Sequence, residues 1–353
     1  MIVMHFSHIK TVKNGGIHFY VKNLVKHQQN IGINSHWIAS NLNNKDIKNS
    51  ELIKKIKKIK PDIIHIHGLW RKPTRLIPSL LKITTNIIVA PHGMLNTPSF
   101  KKSKIKKQIA LLLYEKENLN NIKAFHALNN NEENNINNFF PKSNIIKIST
   151  GIDITNKKTS KIKFDWLKAI NKDDKILLFL GRLEPEKGIK ELIEAWDHLS
   201  NLAKEKGWWL LIVGYGTLEH YVQNKALHEK RIIFHGKSYG EEKEFILQIS
   251  KGFILPSTSE GIPIAVLEAL SHKSLCLLTK ECNLEKLEKI GGSIKVEKNT
   301  SKLKLSLKKL FELNSNEFNK RIKIGLEYIK NEHSWEKIAK QSYTIYQSLN
   351  SLS

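Results

Sequence analysis

The chain has 353 residues, with 58 Lys and Arg against 33 Asp and Glu, a net charge of +25 and a mean hydropathy of −0.35. That length is long for one core and predicts two domains of ordinary size, and two cysteines in 353 residues exclude a disulfide scaffold. No stretch approaches the roughly 18 apolar residues of a membrane span, and the N-terminal MIVMHFSHIK lacks a basic leader region, so a cytosolic protein is expected. Only five of the basic residues are Arg (71, 75, 182, 231 and 321), and Lys, Asn and Ile are abundant throughout. Part of the charge is therefore compositional, while a field of that size still attracts an anionic membrane face, a nucleotide or a nucleic acid.

In chain order, Ile2–Phe6 reads as a buried strand, and Asn14-Gly15-Gly16 interrupts it before a helix over Ile17–Asn30. A glycine pair there serves equally as a plain turn or as a place where backbone amides approach a ligand. Strand and helix patterns continue through Ile33–Ala39, Glu51–Lys60 and Asp62–His67, and this alternation predicts a parallel α/β sheet. His65 and His67 share one strand face at a spacing open to a metal, but no third ligand is evident. After the strand Asn86–Pro91 comes His92-Gly93-Met94. The carboxyl end of a strand in such a sheet is where ligands bind, so His92 either meets a reacting group or packs as a loop histidine.

Ser99–Asn118 reads as a basic amphipathic helix, with Lys101, Lys102, Lys104, Lys106 and Lys107 crowding its first half, either solvated or laid on an anionic membrane. Strands over Lys123–Leu128 and Asn144–Ser149 close the first half, and the polar stretch Ile154–Asp174 reads as the linker.

A second α/β series begins with the strand Lys175–Leu180 and the break Gly181-Arg182-Leu183-Glu184-Pro185-Glu186-Lys187-Gly188, ahead of a helix over Ile189–Lys206. Guanidinium binds phosphate oxygens in pairs and ammonium acts as a point charge, so Arg182 and Lys187 suit a diphosphate unless both are plain surface cations. Strands Trp208–Val213 and Arg231–His235 end in Gly214-Tyr215-Gly216 and Gly236-Lys237-Ser238. Then comes the stretch Ile254–Leu270, ILPSTSEGIPIAVLEAL. Here Ser257, Thr258 and Ser259 are cap-type residues, Pro263 suits a first helical position, and the helix is expected to open right after Glu260. Glu268 follows Pro263 by five residues, about 7.5 Å along the axis. Two carboxylates so separated would hold two parts of one extended ligand, or simply line a solvated helix. The strand Ser274–Thr279, helices over Ser301–Lys330 and a last helix near Ser334–Leu349 complete the chain.

The spacing Glu260-x7-Glu268 within SEGIPIAVLEAL resembles the EGxPxxxxEA motif of glycosyltransferase family 4, the retaining sugar-nucleotide transferases of GT-B fold. GRLEPEKG resembles the GRLxxxKG motif of that family, lying about 80 residues upstream as the family requires, Gly214-Tyr215-Gly216 its GxG turn, and Thr150-Gly151-Ile152-Asp153 its NGID turn. The HIHGLW and APHGML stretches are similar to members that build bacterial surface polysaccharides, although those often carry SPRGML where this chain has His92. The tail HSWEKIAKQSY resembles the helix with which GT-B enzymes cross back to the first domain.

The resemblance implies two Rossmann-like domains facing each other across a cleft: residues 1–160 bind the acceptor, 161–330 bind the nucleotide sugar, and 331–353 form the returning helix. It further implies that Arg182 and Lys187 hold the diphosphate, Glu260 the sugar hydroxyls and Glu268 the ribose diol, with His92 at the sugar end. Gly15, Gly16, Gly214, Gly236, Lys237, Gly261, Ile262 and Pro263 would line the donor. No Asp-x-Asp stands at a plausible strand end, so no metal and no cofactor is expected. The expected function is transfer of a sugar from a nucleotide-sugar donor to a saccharide or lipid-linked acceptor in lipopolysaccharide, capsule or related synthesis, at or near the cytoplasmic face of the inner membrane. A non-catalytic nucleotide-sugar-binding protein is the alternative. A nucleic-acid partner is not expected, since charge alone suggests one and no stacking patch or reading motif accompanies it.

Overall fold

The structure is a computed structural model and describes residues 1–9, 15–42, 45–96, 108–154, 162–229 and 231–351. The predicted lysine cluster at 101–107 and the 155–161 part of the predicted linker 154–174 lie outside those residues. The chain divides into two compact units, Met1–Gly151 together with His333–Ser353, and Ile152–Glu332. The division falls at 151/152 and 332/333 rather than at 160/161 and 330/331.

The first unit is built on seven strands, β1 (Ile2–Ile9), β2 (Asn34–Leu42), β3 (Lys45–Asp46), β4 (Ile63–His67), β5 (Ile87–Ala90), β6 (Ala124–Ala127) and β7 (Ile145–Lys147), in the order β3-β2-β1-β4-β5-β6-β7. All neighbours are parallel except β2 and β3, an antiparallel hairpin at the edge. Parallel strands buried on both faces need continuous apolar or neutral runs, and β4, β5 and β6 are buried at every position. The sequence puts His65, His67 and His126 into those strands and His5 into β1, all four of them buried. The flanking helices are α1 (Gly15–Asn30), α2 (Asn49–Ile59) and α3 (Asn130–Phe139), and Asn129 caps α3 by accepting from Glu132 N–H. Gly15 and Gly16 are the first two residues of α1 and not a turn ahead of it.

The second unit holds six parallel strands, β8 (Lys175–Leu180), β9 (Trp208–Val213), β10 (Ile232–Gly236), β11 (Gly252–Leu255), β12 (Leu275–Leu278) and β13 (Ser293–Lys295), in the order β10-β9-β8-β11-β12-β13. Its helices are α4 (Ile189–Asp197), α5 (Glu219–His228), α6 (Gly240–Ile249), α7 (Ile264–Ser271), α8 (Thr300–Glu312) and α9 (Ser315–Glu332). The expected single helix over 189–206 is two, because Leu199 leaves helical geometry (φ −112°, ψ 9°) before a second short helix over Ser200–Glu205.

The last helix, α10 (Trp335–Ser351), belongs to the first unit and packs on α1 through Trp335, Ile338, Tyr346 and Leu349. A Cβ on Gly151 would stand 2.5 Å from the Trp335 ring, so the absent side chain there is what seats the indole.

Candidate functional site

The strand orders locate a candidate site within each unit. In the second, the chain runs outward from β8 to β9 and β10, then returns to the opposite side of β8 at β11, so the order reverses between β8 and β11. Loops leaving the carboxyl ends of strands on either side of such a reversal diverge and leave a crevice for a ligand. The loop after β8 carries Arg182 and Lys187, and the loop after β11 carries Glu260.

These two loops are stitched together. Glu186 O accepts from Thr258 N–H (2.8 Å), from Thr258 Oγ1 (3.2 Å) and from Ser257 Oγ (3.3 Å). Gly188 takes φ 71°, and a Cβ there would lie 2.4 Å from Pro256 O, so only glycine allows the loops this approach. Lys187 Nζ donates to Glu260 Oε1 at 2.5 Å, with 11% and 12% of the two side chains exposed. Asn283 Nδ2 holds the Glu260 and Gly261 carbonyls at 2.9 and 2.6 Å. Cys282 lies in the same layer, its thiol pushed up to about 12 by burial and then by the Glu260 charge, and is chemically inert there.

Ser257, Thr258 and Ser259 do not cap a helix, since their hydroxyls and amides serve the loop contacts just given and a bond from Ser259 N–H to Ser257 Oγ. The helix α7 opens at Ile264 rather than after Glu260, and Pro263 stands one place earlier than expected, at the cap position with extended backbone (φ −72°, ψ 113°) and no side-chain cap. Gly261 and Ile262 fill the half-buried turn between Glu260 and that helix. An uncapped first turn presents free N–H groups.

The remaining residues are spread along the same sheet edge. Arg182 is 55% exposed and lies 3.5 Å from Glu186. Gly214 has no room for a side chain: a Cβ would stand 1.8 Å from Gly181 O, so this glycine seats the β9 loop against the β8 loop. Gly236 takes φ 83° in open space. Lys237 Nζ stands 4.6 Å over the Tyr215 ring. Glu268 is buried and paired with Lys243 Nζ of α6 at 2.6 Å. Sequence reading did not single out Lys243 or Asn283, and no local pattern marks either.

In the first unit the order reverses between β1 and β4, and His92 follows β5 with φ 52°. His92 Nε2 lies 2.9 Å from His67 Nδ1, whose Nε2 lies 2.9 Å from His5 Nδ1, and His5 Nε2 lies 2.9 Å from Gln28 Oε1 of α1. Alongside, His65 Nε2 is 3.1 Å from His126 Nδ1, His65 Nδ1 is 2.7 Å from the Tyr346 hydroxyl, and His126 Nε2 is 2.6 Å from Ile148 O. His5 thus adds the third nitrogen that the sequence did not reveal beside His65 and His67, with ligand atoms within 4.8 Å. All six ring nitrogens of that trio already have partners, so the arrangement is a hydrogen-bonded one.

Burial lowers all five imidazoles, to about 4 for His5 and His126 and to about 3 for His92, with neighbouring histidines adding to the effect on His5 and His92. Glu132, raised by burial, braces the His92 turn by accepting from Gly93 N–H at 2.6 Å and Leu128 N–H at 2.9 Å. Gly15 and Gly16 leave open space where a Cβ would stand, at the head of the helix that carries Tyr20 to within 5.1 Å of the His92 ring.

Among the described residues, no helix is long and apolar enough to cross a membrane. Residues 160–325 match the family of glycosyl transferases group 1. An uncharacterised glycosyltransferase of Methanocaldococcus jannaschii is 24% identical over 217 residues, 58% of this chain and 54% of that protein, so the match spans about half the relative's length. The sucrose-phosphate synthase of Thermosynechococcus elongatus superposes with a TM-score of 0.77 at 16% identity, covering 100% of both chains. A trehalose-6-phosphate protein of E. coli bound with UDP-2-fluoro glucose gives 0.75 at 12% identity, over 98% of this chain and 99% of the other. The chain has the GT-B fold, and the region that matches the glycosyl transferases group 1 family, residues 160–325, falls within its second unit.

Proposed function

We propose that the protein is a retaining, metal-independent hexosyltransferase of family 4, moving a sugar from a nucleotide-sugar donor to a saccharide or lipid-linked acceptor. The observation that carries this reading is the buried Lys187–Glu260 pair at the strand reversal of the second unit, beside Arg182 and the uncapped start of α7. Breaking a sugar–phosphate bond leaves negative charge on the diphosphate. An ammonium has three N–H donors, and Glu260 takes one from Lys187, which leaves two for phosphate oxygens. Arg182 and the first amides of α7 complete the anion site, and Glu260 keeps its second oxygen for a sugar hydroxyl. Glu268, oriented by Lys243, takes the ribose diol, while Gly214, Gly236 and Lys237 flank the nucleotide. A donor bound to the E. coli neighbour is a uridine diphosphate sugar.

The acceptor proposal, a surface polysaccharide or its lipid-linked precursor, rests on the likeness of HIHGLW and APHGML to polysaccharide-building relatives. The charge distribution supports docking on an anionic membrane, because residues 1–151 and 333–353 hold 26 Lys and Arg against 8 Asp and Glu, and residues 152–332 hold 32 against 25. A thermal-shift panel of UDP-, GDP- and ADP-sugars tests the donor reading. One base class should stabilise the protein by about 2.7 kcal/mol at a hundred times its dissociation constant, and no response to any nucleotide sugar would overturn it.

A further inference from the structure

We propose that Gln28, His5 and His67 form a hydrogen-bonded file that fixes the tautomer of His92, with its proton on Nε2 and Nδ1 left as a bare acceptor. Gln28, His5 and His67 are then positioning residues for His92. The argument begins at the buried end. Ser342 Oγ spends its one hydrogen on Ala339 O (2.8 Å), so it accepts from Gln28 Nε2 (2.9 Å), and this sets the amide so that Oε1 faces His5 and Ser35 Oγ.

A carbonyl oxygen only accepts. His5 therefore carries its proton on Nε2, and its bare Nδ1 accepts from His67 Nε2–H. His67 Nδ1, bare in turn, accepts from His92 Nε2–H. Each ring passes its tautomer to the next, as a nitrogen's role is set by the bond its partner makes. His92 Nδ1 has no partner among the described residues, and the ring is half-buried at the carboxyl end of β5.

The neighbouring pair follows the same logic. Ile148 O obliges His126 to donate from Nε2, His126 Nδ1 accepts from His65 Nε2–H, and His65 Nδ1 accepts from the Tyr346 hydroxyl. The groups facing His92 are therefore neutral: Tyr20 of α1 at 5.1 Å between rings, raised well above its ordinary value by burial, His67 at 5.2 Å and His126 at 6.3 Å. Glu132 reaches the turn only through Gly93 N–H. A second proton on His5 or His67 would set two N–H groups against each other, whereas one on His92 would fall on the unpartnered Nδ1; burial first, and then His126, lowers His92 to about 3. The file thus presents the bare Nδ1 of His92 as an acceptor for a hydroxyl.

This inference stands on the first unit alone and is read without sugar transfer, so its failure leaves the donor reading untouched. The test is long-range 1H–15N correlation of the histidine rings in the full chain, with His92 identified by loss of its signals in His92→Asn. In the wild type, His92 should show the Nε2–H tautomer at pH 7 and stay neutral at pH 5. In His67→Leu, or in Gln28→Leu where the first variant does not fold, both tautomers should appear. A wild-type His92 that carries its proton on Nδ1 at pH 7 overturns the proposal, as does a His67→Leu spectrum unchanged from the wild type.

Discussion

Lys187 and Arg182 stand five residues apart in one loop, yet their environments assign them different work. Arg182 is over half exposed and 3.5 Å from its carboxylate, a pair worth about 0–1 kcal/mol and free to turn onto a ligand. Lys187 is nearly enclosed with Glu260, so removing one partner leaves a buried charge uncompensated. Lys187→Ala should cost about 3–5 kcal/mol of stability in denaturant melts and lower sugar transfer roughly 100- to 1000-fold. The double variant Lys187→Met, Glu260→Leu should regain most of the stability and none of the activity, which separates packing from chemistry. Both residues were legible because each sits in a motif of fixed spacing after a clear strand. Gln28, His5 and Asn283 were not, because the pairs His5–Gln28 and Glu260–Asn283 each lie 23 residues apart in sequence and only the fold brings them together.

Among the elements, buried parallel strands announced themselves as apolar runs, and Lys175–Leu180 and Trp208–Val213 stand where they were predicted. The misjudged features are those decided by single backbone dihedrals: the start of α7, the break at Leu199 and the entry to α1. The same dihedrals give a prediction for the loops that meet at the β8/β11 reversal. Gly214→Ala places a methyl against the Gly181 carbonyl and Gly188→Ala one against the Pro256 carbonyl, and backbone cannot yield cheaply. Each should lower stability by more than about 1 kcal/mol. Gly181→Ala, with ordinary φ and no neighbour within 4 Å, should be close to neutral. Equal denaturation midpoints for Gly214→Ala and Gly181→Ala would contradict this account of how the loops are held.

At the scale of the whole molecule, the buried His5, His65, His67 and His126 and the half-buried His92 make the fold sensitive to acid. Their folded values lie below the unfolded 6.5, so below that pH the unfolded chain binds more protons and stability falls as pH drops from about 6.5 toward 4. The slope should approach about 1.4 kcal/mol per pH unit for each such histidine, and a Tm independent of pH between 7 and 5 would contradict the neutral files. The basic surplus of the first unit predicts sedimentation with anionic but not neutral vesicles, weakening with salt over tens of millimolar.

The parallel α/β plan was legible from alternation, the two-unit division from length and the second unit's candidate residues from their motifs, whereas nothing in the spacing of fifteen histidines tied His65, His67 and His92 to His5, His126 and Gln28. The central claim, that the Lys187–Glu260 pair belongs to a diphosphate site, is tested most directly by calorimetric titration of UDP, GDP and ADP into the wild type and the refolded-to-native Lys187→Met, Glu260→Leu variant. One nucleotide should bind the wild type and bind the variant at least tenfold more weakly, a loss of about 1.4 kcal/mol or more. Equal affinity in the two proteins would contradict it.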